Sequence, residues 1–271
     1  MRVDPILREA ARGRRCLFVA GLPGTGKSLI VRRIAEIVRE GGRPVGLLRW
    51  DVARLAFDTP ALLARYPEVE GVTHAAIRVA AGRWARDAVC RWSEAGADGA
   101  LLVGETPLVG ERFASLARRA DDAVEPLLAS DATLFLVPVP TAAVRARIES
   151  ARERDASAPV GARDVASAAP RLVSWHWHDL VAVAQRLGIA SALPSGYDPD
   201  LYAATFRRVL ARRHARVVEI DEIVDAAGVV RAAVDESEIV PTSGDVAAAT
   251  RSVEGMPPDE VDRAAAEWYR T

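Results

Sequence analysis

Residues 16–33 read CLFVAGLPGTGKSLIVRR. Cys16 to Ala20 form an unbroken apolar run that stops at a glycine, the pattern of a strand buried on both faces. From Ser28 onward, Leu29, Ile30, Ile34 and Val38 recur at helical spacing with charged residues on the opposite side, and Gly41-Gly42 closes the segment. Between strand and helix lies a short turn holding Gly21, Gly24 and Gly26. The hydrophobic period switches from strand to helix across one glycine-rich turn, which predicts one unit of an alternating α/β fold.

The alternation continues outward from there. PVGLLRW (44–50), GALLVG (99–104), ATLFLVPV (132–139) and ARVVEID (215–221) read as four more strands. Helical patterns run over about 73–95, over FASLARRADDAVEPLLA (113–129), over the arginine-rich 141–155, and over about 171–188 and 199–213. Residues 1–13 read as a short helix or irregular lead-in, and 257–270 as a terminal helix capped at or near Asp259. Five strands separated by helices predict three layers: a mostly parallel five-stranded sheet with helices on both faces. Neither a repeat nor a domain boundary emerges. The expectation is a single domain, 1–271, with a core over about 14–150 and 199–221. A lid or acceptor region would cover about 145–198, and a helical tail about 222–271. Residues 156–170, rich in Ala, Ser, Pro and Gly, read as a mobile loop within that lid.

Composition narrows the class. The formal net charge is −1, so no overall field draws the chain to nucleic acid or anionic lipid. Cys16 and Cys90 are the two cysteines, without metal-ligand spacing, and are expected to be buried free thiols of a reducing compartment. No apolar run reaches the roughly 18–20 residues of a membrane helix, and the N-terminal MRVDPILREAARGRRC lacks the apolar run of a signal peptide. A cytoplasmic protein, monomer or homodimer, is expected. Asparagine is absent, Gln185 is the one glutamine, and Lys27 is the one lysine among 36 basic residues. Heat adaptation and a base-composition bias would both leave that pattern.

Gly21-Leu22-Pro23-Gly24-Thr25-Gly26-Lys27-Ser28 fits G-x-x-x-x-G-K-[ST]. Glycines let the backbone curl so that successive N–H groups point at phosphate oxygens. The helix that follows adds the positive end of its dipole. Lysine brings a compact charge to the β and γ phosphates, and the Ser28 hydroxyl suits Mg²⁺. Guanidinium is planar and bulkier, which explains why arginine does not stand at position 27. The motif therefore predicts a nucleoside-triphosphate site over Gly21–Ser28.

Missing asparagine excludes the N-K-x-D element by which switch GTPases read guanine. AAA-type ATPases share GLPGTGKS, but the third strand here ends LLVGET, without their Asp-Glu pair, and no LSGGQ transporter signature occurs. The remaining order is a glycine-rich phosphate loop, an acid after the second strand, an acid after the third, and an arginine-rich helix after the fourth. That order resembles the P-loop small-molecule and nucleotide kinases, in the branch with zeta toxins, chloramphenicol phosphotransferase and shikimate kinase. The resemblance covers about residues 14–221, and only the phosphate loop is specific. It implies a three-layer P-loop NTPase fold with a helical lid, ATP and Mg²⁺, and phosphoryl transfer to a hydroxyl of a small molecule. It implies no membrane partner, and nucleic acid is not the expected one. An AAA-type or regulatory NTPase and an RNA kinase remain as alternatives.

Carried onto this chain, the resemblance makes Asp51 the residue that binds the acceptor hydroxyl and takes its proton, alongside an N-cap reading. Glu105 is a candidate for acceptor binding or for a water on Mg²⁺, and Arg112 for acceptor binding; Thr106 and Asp58 are weaker. Arg145, Arg147, Arg152 and Arg154 share one helix. Arg152 and Arg154 are placed first as lid arginines on phosphate because the loop begins just beyond them, and Glu149 offers a plain salt-bridge ladder instead. In SWHWHD (174–179), His176 and His178 would not share a face on a helix, and Trp175 and Trp177 are candidates to line an acceptor pocket.

Overall fold

Strand β1 (Cys16–Ala20) is buried at every position, and the rest of the molecule is arranged around it. The computed structural model describes residues 3–96, 99–156, 170–194, 196–222 and 237–270, with the backbone alone at 151–156 and 170–174. The other strands are β2 (Val45–Arg49), β3 (Leu101–Thr106), β4 (Thr133–Pro140) and β5 (Ala215–Ile220). They form one sheet in the order β2-β3-β1-β4-β5, and every pairing is parallel. A segment at Ser237–Ile239 extends the β2 edge, with Leu47 N donating to Ser237 O (2.8 Å) and Ile239 N to Leu47 O (2.8 Å). That bridge pairs the edge N–H and C=O of Leu47, groups that would otherwise be open to pairing with another chain.

The helices are α1 (Asp4–Ala11), α2 (Lys27–Glu40), α3 (Trp50–Ala53), α4 (Pro60–Arg65), α5 (Ala75–Glu94), α6 (Glu125–Ala129), α7 (Ala142–Ala156), α8 (Pro170–Arg186), α9 (Pro199–Val209), α10 (Ser243–Glu254) and α11 (Pro258–Ala266). Because strand side chains alternate, the sheet carries two cores. Leu17, Val19, Leu101, Val103, Leu134 and Leu136 pack with Leu7 of α1 and Ile30, Ile34 and Val38 of α2. Cys16, Phe18, Ala20, Leu102, Phe135 and Val137 pack on the other face with Trp84 of α5, Leu180 of α8, Phe206 of α9 and Trp268. Layers on both faces thus follow from strands that are apolar at consecutive positions.

Two expectations fail. The 113–129 segment is not one helix: a 3₁₀ turn covers Ala114–Leu116, and α6 starts only at Glu125. The carbonyls that would carry the helix are taken by buried arginines instead. Arg86 donates to Ser115 O (2.6 Å) and Arg118 O (2.9 Å), and Arg213 to Ala117 O (3.0 Å). The terminal helix is not capped by Asp259; its N-cap is Pro257, with no side-chain cap bond, and Asp259 lies in the first turn. The tail instead holds α10, whose capping box pairs Thr242 with Asp245. Cys16 is buried as expected, whereas Cys90 is half-buried, and both thiols are free. Among the described residues no helix is long and apolar enough to cross a membrane.

Candidate functional site

The glycine turn leaves the carboxyl end of β1, between its partners β3 and β4. Gly21, Gly24 and Gly26 have φ of 143°, 83° and 79°. Gly26 is the N-cap of α2, and Lys27 and Ser28 begin that helix. Thr25 Oγ1 closes the turn on Leu22 O at 2.9 Å. The turn therefore sets the N-terminus of a 14-residue helix against the carboxyl ends of the central strands, where open α/β sheets place their ligands.

Three polar side chains meet there. The Lys27 ammonium, 5% exposed, donates to Leu22 O (2.9 Å) and lies 3.9 Å from Glu105 Oε1. Ser28 Oγ donates to the same Glu105 oxygen at 3.1 Å. Glu105 is the next-to-last residue of β3 and is buried. Burial pushes its carboxyl up; Lys27 and Arg49 pull the other way, as does the Ser28 bond, while Asp51 adds to the rise. A buried carboxylate beside a hydroxyl is a pair of hard oxygen donors, the donor type Mg²⁺ takes. The structure sets Glu105 beside Lys27 and Ser28.

Two further side chains brace the turn. Leu22 N donates to the Tyr202 hydroxyl of α9 (3.1 Å). Arg145 of α7, 1% exposed, donates to Pro23 O (2.9 Å) and to Glu149 (2.7 Å), and its guanidinium sits over the Tyr197 ring at 5.4 Å. Arg147, two residues on, is exposed. The backbone at Arg152 and Arg154 belongs to α7, and their side chains lie outside the described residues.

A second group gathers around Arg112 in the loop after β3, with Asp51 contributed by the turn after β2. Asp51, exposed in the first turn of α3, is near enough to act electrostatically on both Glu105 and Arg112. The N-cap of that turn is Arg49, so Asp51 is not the cap. Arg112 Nη1 donates to Val109 O (3.1 Å) and to His176 Nε2 (2.9 Å). Since a guanidinium only donates, Nε2 is the acceptor there. His176 and Trp177 are buried on α8, while Trp175 is 45% exposed and His178 is exposed. Trp177 packs on Tyr197 (5.2 Å between ring centroids). Thr106 is buried, and its hydroxyl faces Val19 O. Asp58 pairs with Arg54 (3.2 Å), which also holds Glu68 (2.9 Å), in a separate network.

Tyr202 carried no local sequence signal for this position, and SWHWHD marked His176 without pointing to Arg112, since each meets its partner across a long stretch of chain. Arg145 was one of four arginines on its helix, and the Glu149 ladder masked its hold on Pro23. Among the described residues no three His, Cys, Asp or Glu side chains gather as a metal site. No family model and no curated protein matches the chain.

Proposed function

We propose that the chain is an ATP- and Mg²⁺-dependent kinase that phosphorylates a hydroxyl of a small molecule, on a P-loop NTPase scaffold of the kinase type. The observation that carries the reading is the Lys27–Glu105–Ser28 group at the N-terminus of α2, in which the ammonium and the carboxylate are buried and the Ser28 residue is exposed, on a turn of positive-φ glycines. Residues 21–28 would hold the triphosphate through backbone amides, the helix dipole and the Lys27 ammonium. Ser28 would hold Mg²⁺ directly, and Glu105 through a water. The metal, when bound, would neutralise charge on the phosphate oxygens. Asp51 would orient the acceptor hydroxyl and take its proton, since phosphoryl transfer asks chiefly for positioning and charge stabilisation. Arg145 would hold the turn in shape through Pro23, and α7 and α8 would supply the lid, with Arg152 and Arg154 the arginines expected to close on phosphate.

Calorimetry with MgATP and a labelled-ATP transfer screen over hydroxylated metabolites test this. Wild-type protein binds MgATP; Lys27→Ala and Lys27→Arg both lose that binding. Asp51→Asn lowers transfer by about 10²–10⁴-fold with MgATP affinity unchanged. Wild-type protein that binds no magnesium nucleotide, or an Asp51→Asn enzyme with full transfer rate, would sink the reading.

A further inference from the structure

Arg78 of α5 and Arg112 of the loop after β3 converge on Gly110. A Cβ built there would lie 2.7 Å from Arg78 Nη1 and 3.2 Å from Arg112 Nη1. Among the described residues neither guanidinium has a carboxylate within 4.0 Å. That sets them apart from Arg86, Arg118 and Arg213, each of which holds a carboxylate. The acceptors that Arg78 and Arg112 do meet are neutral: Gly110 O, Val109 O and His176 Nε2. Arg78 Nε is buried and meets no acceptor among the described residues. A buried donor without a partner is costly, and two neighbouring cations add to the cost when water is excluded. Burial pulls the Arg112 guanidinium down to about 10, the Arg78 charge pulls the same way, and Asp51 and Asp179 oppose both from beyond bonding distance.

The loop that carries Arg112 is itself held in an unfavourable shape. Leu108, Glu111 and Phe113 all have positive φ (65°, 71° and 60°), as does Gly110. For residues other than glycine this conformation is unfavourable, and such strain gathers at ligand sites. The loop lies beside Asp51, the group that would meet the acceptor hydroxyl.

We propose that Arg78 and Arg112 form a binding site for an oxyanion borne by the acceptor, so that the substrate is a hydroxylated carboxylate or phosphate rather than a neutral alcohol. The proposal rests on the kinase reading for the hydroxyl and on the arginine pair for the anion. Paired guanidinium groups present several fixed N–H donors to one planar or tetrahedral oxyanion, including the unsatisfied Nε. Docked there, the ligand would carry its hydroxyl toward Asp51.

The test uses Lys27→Ala protein, in which the glycine turn no longer competes for anions, titrated by calorimetry with inorganic phosphate in one arm and acetate in the other. Saturable binding of one of them is expected, and the stronger arm names the anion. Adding Arg78→Gln or Arg112→Gln should weaken it at least ten-fold with the melting temperature little changed, and Arg112→Lys should lose less. No saturable binding in Lys27→Ala protein, where both arginines are intact, overturns the proposal without any further variant. So does a second substitution that lowers the melting temperature but leaves anion affinity unchanged, which would make the pair a clamp on the loop. MgATP binding by wild-type protein reports on the kinase reading separately, so each idea can fail without the other.

Discussion

A Cβ on Gly21 would come within 2.2 Å of the Tyr202 hydroxyl, far inside van der Waals contact. That same hydroxyl accepts from Leu22 N, so one tyrosine both needs the missing side chain and satisfies the next amide. Residue 21 is therefore glycine for two reasons, the space under Tyr202 and a φ of 143°. Gly21→Ala is expected to destabilise the protein, and so is Tyr202→Phe, by about 1–3 kcal/mol for the latter because Leu22 N is left buried without an acceptor. The two losses should not add. With the hydroxyl gone the alanine methyl has room, so in Tyr202→Phe protein the Gly21→Ala step costs clearly less, with only the backbone strain remaining. A denaturant-unfolding cycle over the four proteins reads this directly. Additive losses would mean that the contact with Tyr202 does not decide the glycine.

At the scale of elements, what the sequence revealed and what it hid divide along one line. All five strands were legible, β1 to β4 as short, mainly apolar runs and β5 from Val217, Val218 and Ile220 among charged residues, and α2, α5 and α7 because their patterns are local. The break at 117–124 was not legible, because Arg86 and Arg213, distant in the chain, compete with the helix for its carbonyls. The α10 helix had a signal, Thr242 three residues before Asp245, that the low-contrast tail concealed. In the candidate site, Lys27 and Ser28 were readable from the glycine-rich motif, and Glu105 and Asp51 from their positions near strand ends. Arg78 and Tyr202 were not, and His176 stood out only beside His178 and not as the partner of Arg112, since only the fold brings these residues in. The strained loop after β3 makes a prediction of its own. Burial pushes the Glu111 carboxyl up to about 6 from an ordinary 4.5, with Arg118 opposing. The folded chain then holds this proton more tightly than the unfolded one, so stability from this group rises as pH falls from above 6 toward 4.5 and is flat below. The gain is about 2 kcal/mol between pH 8 and pH 4.5. Glu111→Gln keeps an acceptor for Arg118 and should remove that slope. Urea midpoints at pH 8 and pH 5 that change equally in both proteins would refute it.

Across the whole molecule, one ion network joins elements that the sheet alone would leave apart. Glu125 of α6 takes Arg213 Nη1 (2.7 Å), just ahead of β5, and Arg86 Nη2 (2.9 Å) of α5. Arg86 also pairs with Asp122 (2.6 Å). Both arginines are 7% exposed, and both hold the carbonyls of the 115–118 segment described above. Burial by itself would push the Glu125 carboxyl up, but Arg213 and Arg86 together hold it down to about 2. Its folded value lies below its unfolded one, so its contribution is complete above about pH 4.5 and disappears as pH falls toward 2. Glu125→Ala leaves two buried guanidinium groups without their shared carboxylate, a loss of about 3–5 kcal/mol, or roughly 10 °C in melting temperature for a chain of this size. Glu125→Gln keeps the shape but not the charge, so it should start less stable at pH 7 and fall less steeply than wild type between pH 4.5 and 2.5. Asp122, held low by Arg86, leaves a smaller acid slope in both proteins. Melting curves collected down that pH range decide the matter: parallel lines for wild type and Glu125→Gln would show that this network does not govern acid unfolding, and convergence at low pH would show that it does.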